Sequence, residues 1–264
     1  MLLENKNAVI YGAGGGIGGG VARTFAREGA KVFLVGRTRD SLELVASDIK
    51  ASGGSAEVAV IDALDEQAVE NHIQDVASRA GSIDVSFNLI SHGDVQGIPL
   101  VEMQAADLAR AVTTGLTTNF ITARAAARRM IAQKSGVILS LTSGTSAVAT
   151  PMMGSTGPAD AAIEVFMRSL AGELAPQGVR VLGLWTAAVP ETLSPEKIAG
   201  VNSNMVMDAA GFENMLKGMA QMFPLRRAPS LAQVADVAAF VASDRAGGMT
   251  GTIINVTCGL VSVP

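Results

Sequence analysis

Residues 7–20 read Asn-Ala-Val-Ile-Tyr-Gly-Ala-Gly-Gly-Gly-Ile-Gly-Gly-Gly, and this stretch decides how the rest of the chain is interpreted. Residues 8–10 make a short apolar run that is typical of a strand buried on both faces. Seven glycines follow among residues 12–20. From Val21 onward, apolar residues recur at helical spacing until Gly29, a natural helix end. The stretch therefore predicts a strand, a glycine turn and a helix, in that order.

The glycine turn has the chemistry of a phosphate site. The N-terminus of a helix presents unpaired N–H groups and a partial positive charge, which attract anions. Glycine lets the backbone turn sharply and approach a pyrophosphate closely. Gly12, Gly16 and Gly18 match G-x-x-x-G-x-G, whereas Gly14, Gly16 and Gly19 match G-x-G-x-x-G. A flexible surface turn is the alternative, but the flanking strand and helix favour a nucleotide site.

Composition limits the possible partners. The 264 residues carry a net charge of −4 without a long basic run, so nucleic acid is not an expected partner. One cysteine and two histidines exclude an internal disulfide and a Cys- or His-rich metal site. Charged residues interrupt the N-terminal stretch, and the longest uncharged run, residues 135–159, is too rich in Ser and Thr for a membrane span. We expect a cytoplasmic protein with no metal and no membrane contact.

Strand-like and helix-like segments alternate along the chain, without a linker or an internal repeat. Such alternation predicts a parallel sheet covered by helices on both faces, in a single domain over residues 1–264. Ligands of such sheets bind beyond the C-terminal strand ends. The predicted strands cover residues 8–10, 31–35, 57–61, 83–88, 137–141, 179–185 and 252–256. The predicted helices start at 21 and cover 40–51, 65–79, 107–132, 159–174, parts of 196–223, and 231–242.

Two residues at predicted strand ends bear on the cofactor. Arg37 follows the second strand, where an NAD site usually has an acid for the ribose 2′-hydroxyl. A guanidinium there would pair with a 2′-phosphate and favour NADP, although a solvated arginine at a helix start is the alternative and NAD stays possible. Asp62 follows the third strand, where its carboxylate could accept a hydrogen bond from an adenine amino group. Equally, Asp62 could cap the helix that opens at Asp65.

These features together resemble the short-chain dehydrogenase/reductase family over nearly the whole chain. The matching positions come in the family's order along the sequence. They are Gly12, Gly16 and Gly18 of the cofactor turn, Asp62, Asn88 as the first residue of the Asn-Asn-Ala-Gly motif, Ser143 at the position of the catalytic serine, residues 169–181, and residues 249–251.

The resemblance implies a Rossmann-type, doubly wound parallel sheet of about seven strands in a single α/β domain. It also implies a small-molecule substrate, a substrate lid over residues 191–224, and a homodimer or homotetramer formed through the helices at 107–130 and 159–174. The residues that it implies for cofactor binding are Gly12, Ala13, Gly15, Gly16, Ile17, Gly18, Arg37, Asp62, Ala63, Asn88 and Val189.

The chain departs from the family where proton transfer occurs. In the family a tyrosine exchanges the proton, a lysine four residues later lowers the pKa of that tyrosine, and a serine orients the substrate oxygen. Here Thr156 stands at the tyrosine position and Asp160 at the lysine position, and the only tyrosine of the chain is Tyr11. A carboxylate at position 160 would accept hydrogen bonds from nearby hydroxyls and disfavour an alkoxide.

His92 and Asp94 follow the fourth predicted strand, on the side where substrate should lie. Histidine titrates near neutral pH, so His92 is one possible substitute proton donor. A partly exposed loop histidine without a catalytic role is the alternative. Gly115 stands at the position of the family's helical asparagine, with Asn119 one turn further on.

Two functions stay open from the sequence. The first is an NADP(H)-dependent oxidoreductase acting on a small carbonyl- or alcohol-like substrate with a non-standard proton donor, with Ser143, Thr156 and Asp160 at the catalytic positions. The alternative is a redox-inactive protein of the same fold, a cyclase, isomerase, lyase or regulatory subunit, that retains the dinucleotide pocket.

Overall fold

A computed structural model describes residues 1–262. In this part of the chain strands and helices alternate, and three short 3₁₀ turns follow β6, α5 and α8. The elements, in chain order, are β1 (Asn7–Tyr11), α1 (Gly16–Arg27), β2 (Lys31–Gly36), α2 (Arg39–Ala51), β3 (Ser55–Val60), α3 (Glu66–Ala80), β4 (Val85–Asn88), α4 (Ala105–Gln133), β5 (Gly136–Thr142), α5 (Thr156–Leu174), β6 (Val179–Thr186), α6 (Pro195–Val201), α7 (Ala209–Met222), α8 (Leu231–Ala242) and β7 (Ile253–Val256).

The strands form one seven-stranded sheet in the order β3-β2-β1-β4-β5-β6-β7. All neighbouring strands are parallel. The chain runs outward from β1 to β3, then crosses back to place β4 on the other side of β1, so the strand order reverses between β1 and β4. Ligands of doubly wound sheets bind at this reversal, beyond the C-terminal strand ends. The prediction of a single-domain α/β fold with about seven parallel strands is confirmed.

Two apolar cores lie on opposite faces of the sheet. On β1, Ile10 packs in the core that includes side chains of α1, α2 and α8. Its neighbours Val9 and Tyr11 pack in the core that includes α3, α4 and α5. Because successive residues of a strand point to opposite faces, a strand covered on both sides must be apolar at each position that contacts a helix layer. This explains the uninterrupted apolar run before the glycine turn.

Helix α1 begins at Gly16, five residues earlier than the helical spacing predicts. Its glycines permit close packing: a Cβ on Gly18 would lie 2.2 Å from the carbonyl oxygen of Gly12, and one on Gly20 would lie 2.6 Å from the side chain of Leu231 in α8. This packing outweighs the poor helix propensity of glycine. The other predicted ends agree with the structure to within three residues. No helix within residues 1–262 is long and apolar enough to cross a bilayer.

Candidate active site

The C-terminal ends of β1, β4 and β5 lie side by side at the reversal of strand order. Tyr11 of β1 pairs with Asn88 of β4, and Asn88 pairs with Ser140 of β5. The glycine turn therefore lies next to the loop that follows β4. Their contact is tight, because a Cβ on Gly12 would lie 2.7 Å from the carbonyl oxygen of Leu89. Gly12 also has a φ of +77°, a conformation that glycine adopts without strain.

The glycine turn is shaped to receive an anion. Gly15 is the N-cap residue of α1 and provides no side-chain cap for the first-turn N–H groups. Those groups, on Gly16, Ile17 and Gly18, have no partner within the helix. Gly15 and Gly16 are exposed, whereas Ala13 behind them is buried. An uncapped, exposed helix N-terminus is a common type of binding site for phosphate groups.

Two neighbouring segments close the sides of the turn. A Cβ on Gly14 would lie 2.3 Å from Ser41 Oγ, and one on Gly16 would lie 2.7 Å from Thr192 Cβ. Thr192 ends the 3₁₀ turn Pro190–Thr192, and its hydroxyl donates to the carbonyl oxygen of Val189 at 2.9 Å. Val189 is buried, so its side chain supports the wall of the turn.

Arg37 and Asp62 lie at the ends of β2 and β3, on the same edge of the sheet. Arg37 is exposed and forms no ion pair with any residue that the structure describes. Asp62 is exposed and accepts a hydrogen bond from its own loop, at Leu64 N. The alternative that Asp62 caps α3 is wrong: Asp65 caps that helix by accepting from Ala68 N at 3.0 Å. Asp65 is the nearer cap because the helix begins one residue after it.

Ala63 and Asn88 are buried rather than open to the cleft. Ala63 packs in the core of α3, α4 and α5. The Asn88 side chain donates to Thr122 Oγ1 at 3.1 Å and accepts from Ile90 N at 3.0 Å. Asn88 therefore joins β4 to α4 and to the loop that follows β4.

Ser143 and Asp160 form the polar centre of the site. The Asp160 carboxylate accepts hydrogen bonds from Ser143 Oγ at 2.5 Å, from Ser143 N at 2.9 Å and from Thr145 Oγ1 at 3.3 Å. Its side chain is only 2% exposed. Hydrogen bonds to a carboxylate are the strong ones, so they fix the loop after β5 against α5. The structure thus brings together the serine position and the lysine position of the sequence motif.

Thr156, at the tyrosine position, belongs to a second cluster of polar side chains, which surrounds the carboxylate of Asp94. Its hydroxyl donates to Asp94 Oδ2 at 2.5 Å. Gln96 Nε2 donates to the same Asp94 oxygen at 2.9 Å and to Thr156 Oγ1 at 3.2 Å. Thr156 therefore holds Asp94 in place. Sequence reasoning missed Gln96, because only the path of the loop after β4 brings it to α5.

His92 lies between the two carboxylates. Its Nδ1 is 3.5 Å from Asp94 Oδ1, and its Nε2 is 3.4 Å from Asp160 Oδ1. The side chain is 13% exposed and lies in the loop after β4, so the description of a partly exposed loop histidine also fits its position. Burial alone would lower the pKa of His92, but the contact with Asp160 and the charges of Asp94 and Asp160 outweigh it and raise that pKa above its ordinary value.

Glu164 of α5 holds the polar groups next to this cluster by hydrogen bonds. Its carboxylate accepts from Thr142 Oγ1 at 2.9 Å, from Ser146 Oγ at 2.8 Å and from Trp185 Nε1 at 2.7 Å. These bonds join β5, β6 and the loop before α5. The sequence carried a signal for this role, since Glu164 lies four residues after Asp160 and so shares its buried helix face.

The seven-stranded parallel sheet, the bare helix N-terminus at its centre and the polar cluster beside it define a doubly wound α/β protein with a nucleotide-type site. A family profile described as Enoyl-(Acyl carrier protein) reductase matches residues 12–261. The chain belongs to the short-chain dehydrogenase/reductase family of oxidoreductases, to which this profile and the similar proteins belong.

Relatives match along almost the full chain. Oxidoreductase UcpA of Escherichia coli O157:H7 is 32% identical over 251 residues, which cover 95% of this chain and 92% of UcpA. The 3-oxoacyl-[acyl-carrier-protein] reductase FabG of Chlamydia muridarum is 27% identical over 260 residues, 98% of each chain. Among solved structures, an NAD⁺-bound xylitol dehydrogenase superposes with a TM-score of 0.87 at 26% identity, covering 98% of this chain and all of that one.

Proposed function

We propose that this protein is an NADP(H)-dependent oxidoreductase that acts on a small carbonyl- or alcohol-like substrate and uses a proton donor other than tyrosine. The observation that carries this proposal is the uncapped N-terminus of α1 beside Ser143 and Asp160 at one edge of the sheet. When bound, a nicotinamide dinucleotide supplies or accepts the hydride. The relatives described above are named as a reductase, an oxidoreductase and a dehydrogenase, which supports the oxidoreductase over the redox-inactive alternative.

The residues of the chain would have two roles: some would bind the dinucleotide, and others would orient the substrate. The N–H groups of the first turn of α1 would hold the diphosphate. Ser143 would orient the reacting oxygen of the substrate, because its Oγ is fixed by Asp160 at 2.5 Å and lies 2.9 Å from Thr145 Oγ1. Thr156 would act only through Asp94, since its hydroxyl is already bound there.

A preference for NADP over NAD rests on Arg37. The guanidinium is exposed at the end of β2, next to the segment where Ser41 meets Gly14. A 2′-phosphate there would gain a charge-assisted hydrogen bond. The xylitol dehydrogenase neighbour is bound to NAD⁺, so both dinucleotides belong in any test.

Replacing Arg37 with Gln should weaken NADPH binding and leave NADH binding nearly unchanged. A hydrogen bond to a charged group contributes about 1.5–3 kcal/mol, so the expected loss for NADPH is roughly 10- to 100-fold. Calorimetric titration with each dinucleotide measures both values. Arg245, in the 3₁₀ turn Asp244–Ala246, gives the matched control Arg245→Gln, which should change neither. Equal weakening of NADPH and NADH by Arg37→Gln would refute the assignment.

We also propose that residues 191–224 form a substrate lid. No residue of α7 is buried, although its sequence carries an apolar face. The segment before it crosses the loop after β4, since Gln96 N donates to the carbonyl oxygen of Val201 at 2.7 Å and Asn204 Nδ2 donates to that of Gly97 at 3.2 Å. The Gln96 side chain also donates to Asp94, so the proposed lid is connected to the polar cluster through Gln96.

Self-association through α4 and α5 is the remaining proposal about partners, with a cytoplasmic location suggested by the single cysteine. Large apolar side chains lie on the outer face of this helix pair: Phe120 is 41% exposed and Val165 is 54% exposed. Phe120 also stacks edge-on with Phe166 at 5.9 Å between ring centroids. Exposed aromatic and aliphatic groups on one face are typical of a contact between copies.

The double variant Phe120→Glu with Val165→Glu should dissociate the oligomer to monomers, because two charges on each copy would be buried against like charges. Sedimentation velocity at several protein concentrations measures the change. Leu44→Glu, at an exposed apolar position on α2, is the control and should sediment as the wild type does. A wild-type protein that is monomeric throughout, or a double variant that sediments as the wild type does, would rule out this interface.

The proposed function is tested by following NADPH absorbance with purified protein and carbonyl probes. The panel contains acetoacetyl-coenzyme A, butane-2,3-dione and xylulose, with xylitol and NADP⁺ for the reverse direction. Turnover of at least one probe, dependent on Ser143 when compared with Ser143→Ala, is the expected result. Tight NADPH binding without any turnover across a broad carbonyl and alcohol panel would contradict oxidoreductase activity.

A further inference from the structure

Asp160 is a buried carboxylate and Asp94 is a partly buried one, and both face the same basic side chain. Their side chains are only 2% and 13% exposed. A buried carboxylate is costly unless a cation or hydrogen-bond donors compensate it. Within residues 1–262, His92 is the only basic side chain at ion-pair distance from either carboxylate. Two carboxylates facing one imidazole leave a negative charge in excess, which favours the protonated ring.

Asp160 connects His92 to the serine that would face the substrate. One carboxylate oxygen, Oδ2, is 2.5 Å from Ser143 Oγ, and the other, Oδ1, is 3.4 Å from His92 Nε2. The His92–Asp160 contact is at ion-pair distance, and catalytic hydrogen bonds are often long or poorly aligned until substrate binds. The three side chains therefore form a continuous line from the imidazole to the position of the reacting oxygen.

Gly115 of α4 makes the room for His92. A Cβ on Gly115 would lie 3.1 Å from His92 Cβ and 3.1 Å from Ile163 Cδ1. Any larger side chain there would push the imidazole away from the carboxylates. Asn119, one turn further on, does not reach the cleft, because it donates to the carbonyl oxygen of Gly115 and accepts from Ser140 Oγ.

We infer that His92 is the proton-exchanging group of this site and that Asp160 links it to Ser143, in place of a tyrosine and lysine. The inference rests on the proposed function. In the reduction direction, a bound reduced nicotinamide would supply the hydride for the new C–H bond, and the carbonyl oxygen would take the proton of Ser143 Oγ. The His92 imidazolium would transfer its proton to the Asp160 carboxylate, and the carboxylic acid formed there would return a proton to the Ser143 alkoxide, so that Asp160 is again a carboxylate. His92 ends neutral and is recharged from solvent.

The pH dependence follows from the groups that face His92. These are Asp94 on its own loop and Asp160 on α5, while α4 presents the uncharged Gly115. Because the pKa of His92 is raised, its imidazolium persists to a higher pH than the imidazolium of a free histidine does. Reduction needs the protonated ring, so its rate should fall as the pH rises through that pKa. The rate of oxidation, which needs the neutral ring as proton acceptor, should instead rise as the pH rises through that pKa.

The first arm of the test needs no substrate. His72 and His92 are the only histidines, so the intact protein labelled at histidine gives two imidazole signals, and His72→Gln assigns them. His92 should titrate above the ordinary value of about 6.5, and His72 below it, because burial lowers the pKa of His72. Asp160→Asn and Asp94→Asn should each lower the pKa of His92 by about one unit or more. Glu173→Gln on α5 is the control and should not move it.

The second arm measures turnover of whichever probe the wild type reduces. His92→Ala should reduce kcat by about 100-fold or more, with NADPH binding unchanged. The variant should also lose the limb of the pH profile that matches the titration of His92. Added imidazole should restore part of kcat, which would not follow from a merely structural role. His72→Gln, remote on α3, should leave turnover as it is.

The two arms separate the possible failures. A His92 pKa at or below the ordinary value, unmoved by Asp160→Asn, overturns the inference even if no probe is found. Equal kcat and pH profile in wild type and His92→Ala overturns it while leaving the oxidoreductase function intact. Absence of NADPH binding contradicts the proposed function itself.

Discussion

Gly18→Ala should abolish measurable NADPH binding. A Cβ on residue 18 would lie 2.2 Å from the carbonyl oxygen and 2.8 Å from the carbonyl carbon of Gly12. Both atoms are backbone, so the first turn of α1 must move away from β1 and misalign the N–H groups that would hold the diphosphate. Losing two charge-assisted hydrogen bonds costs about 3 kcal/mol or more, which is over 100-fold in affinity.

The matched control is Gly172→Ala, a change of the same kind on the exposed side of α5. A Cβ there meets no atom within 4 Å. Alanine has the better helix propensity, so this variant should gain roughly 0.5–1 kcal/mol of stability and bind NADPH as the wild type does. Circular dichroism shows whether both variants are folded, and calorimetry gives their affinities. Wild-type affinity in a folded Gly18→Ala protein would show that the turn does not hold the diphosphate.

Glu164→Ala should lower the free energy of unfolding by about 3 kcal/mol. The substitution leaves the buried Trp185 Nε1–H and the Thr142 and Ser146 hydroxyls without their shared acceptor. Each unpaired buried donor costs about 1–3 kcal/mol, and partial rearrangement recovers some of that cost. Trp185 is the only tryptophan, so its emission during urea unfolding reports directly on the site.

Two further variants show whether the Glu164 carboxylate itself is responsible. Glu164→Gln keeps one acceptor oxygen and should lose a smaller part of the stability than Glu164→Ala does. Glu173→Ala removes an exposed glutamate from the same helix and should change stability by no more than about 0.5 kcal/mol. If Glu164→Ala destabilises no more than Glu173→Ala, the carboxylate does not join β5 and β6 as described.

The sheet and its helices could be predicted because burial imposes local patterns. Apolar runs such as residues 8–10 are required wherever a strand is covered on both faces. The start of α1 was not predicted, because glycine propensity opposes a helix there. What decides it is a packing requirement between Gly18 and Gly12 that only the folded chain reveals.

The polar cluster was predictable only in part. The residues at the motif positions, Ser143, Thr156 and Asp160, were identified from their spacing. The sequence placed His92 and Asp94 on the substrate side, but it gave no sign that the imidazole lies between two carboxylates. That arrangement depends on the path of the loop after β4 and on the room left by Gly115, and no local pattern encodes either feature.

The most direct test of whether the glycine turn holds a phosphorylated nicotinamide dinucleotide is calorimetric titration of the wild-type chain with NADPH and, in parallel, NADH. We expect one NADPH per chain, bound at least about tenfold more tightly than NADH because of the added contact with Arg37. Absence of binding heat with both dinucleotides at several temperatures would contradict the assignment of this site.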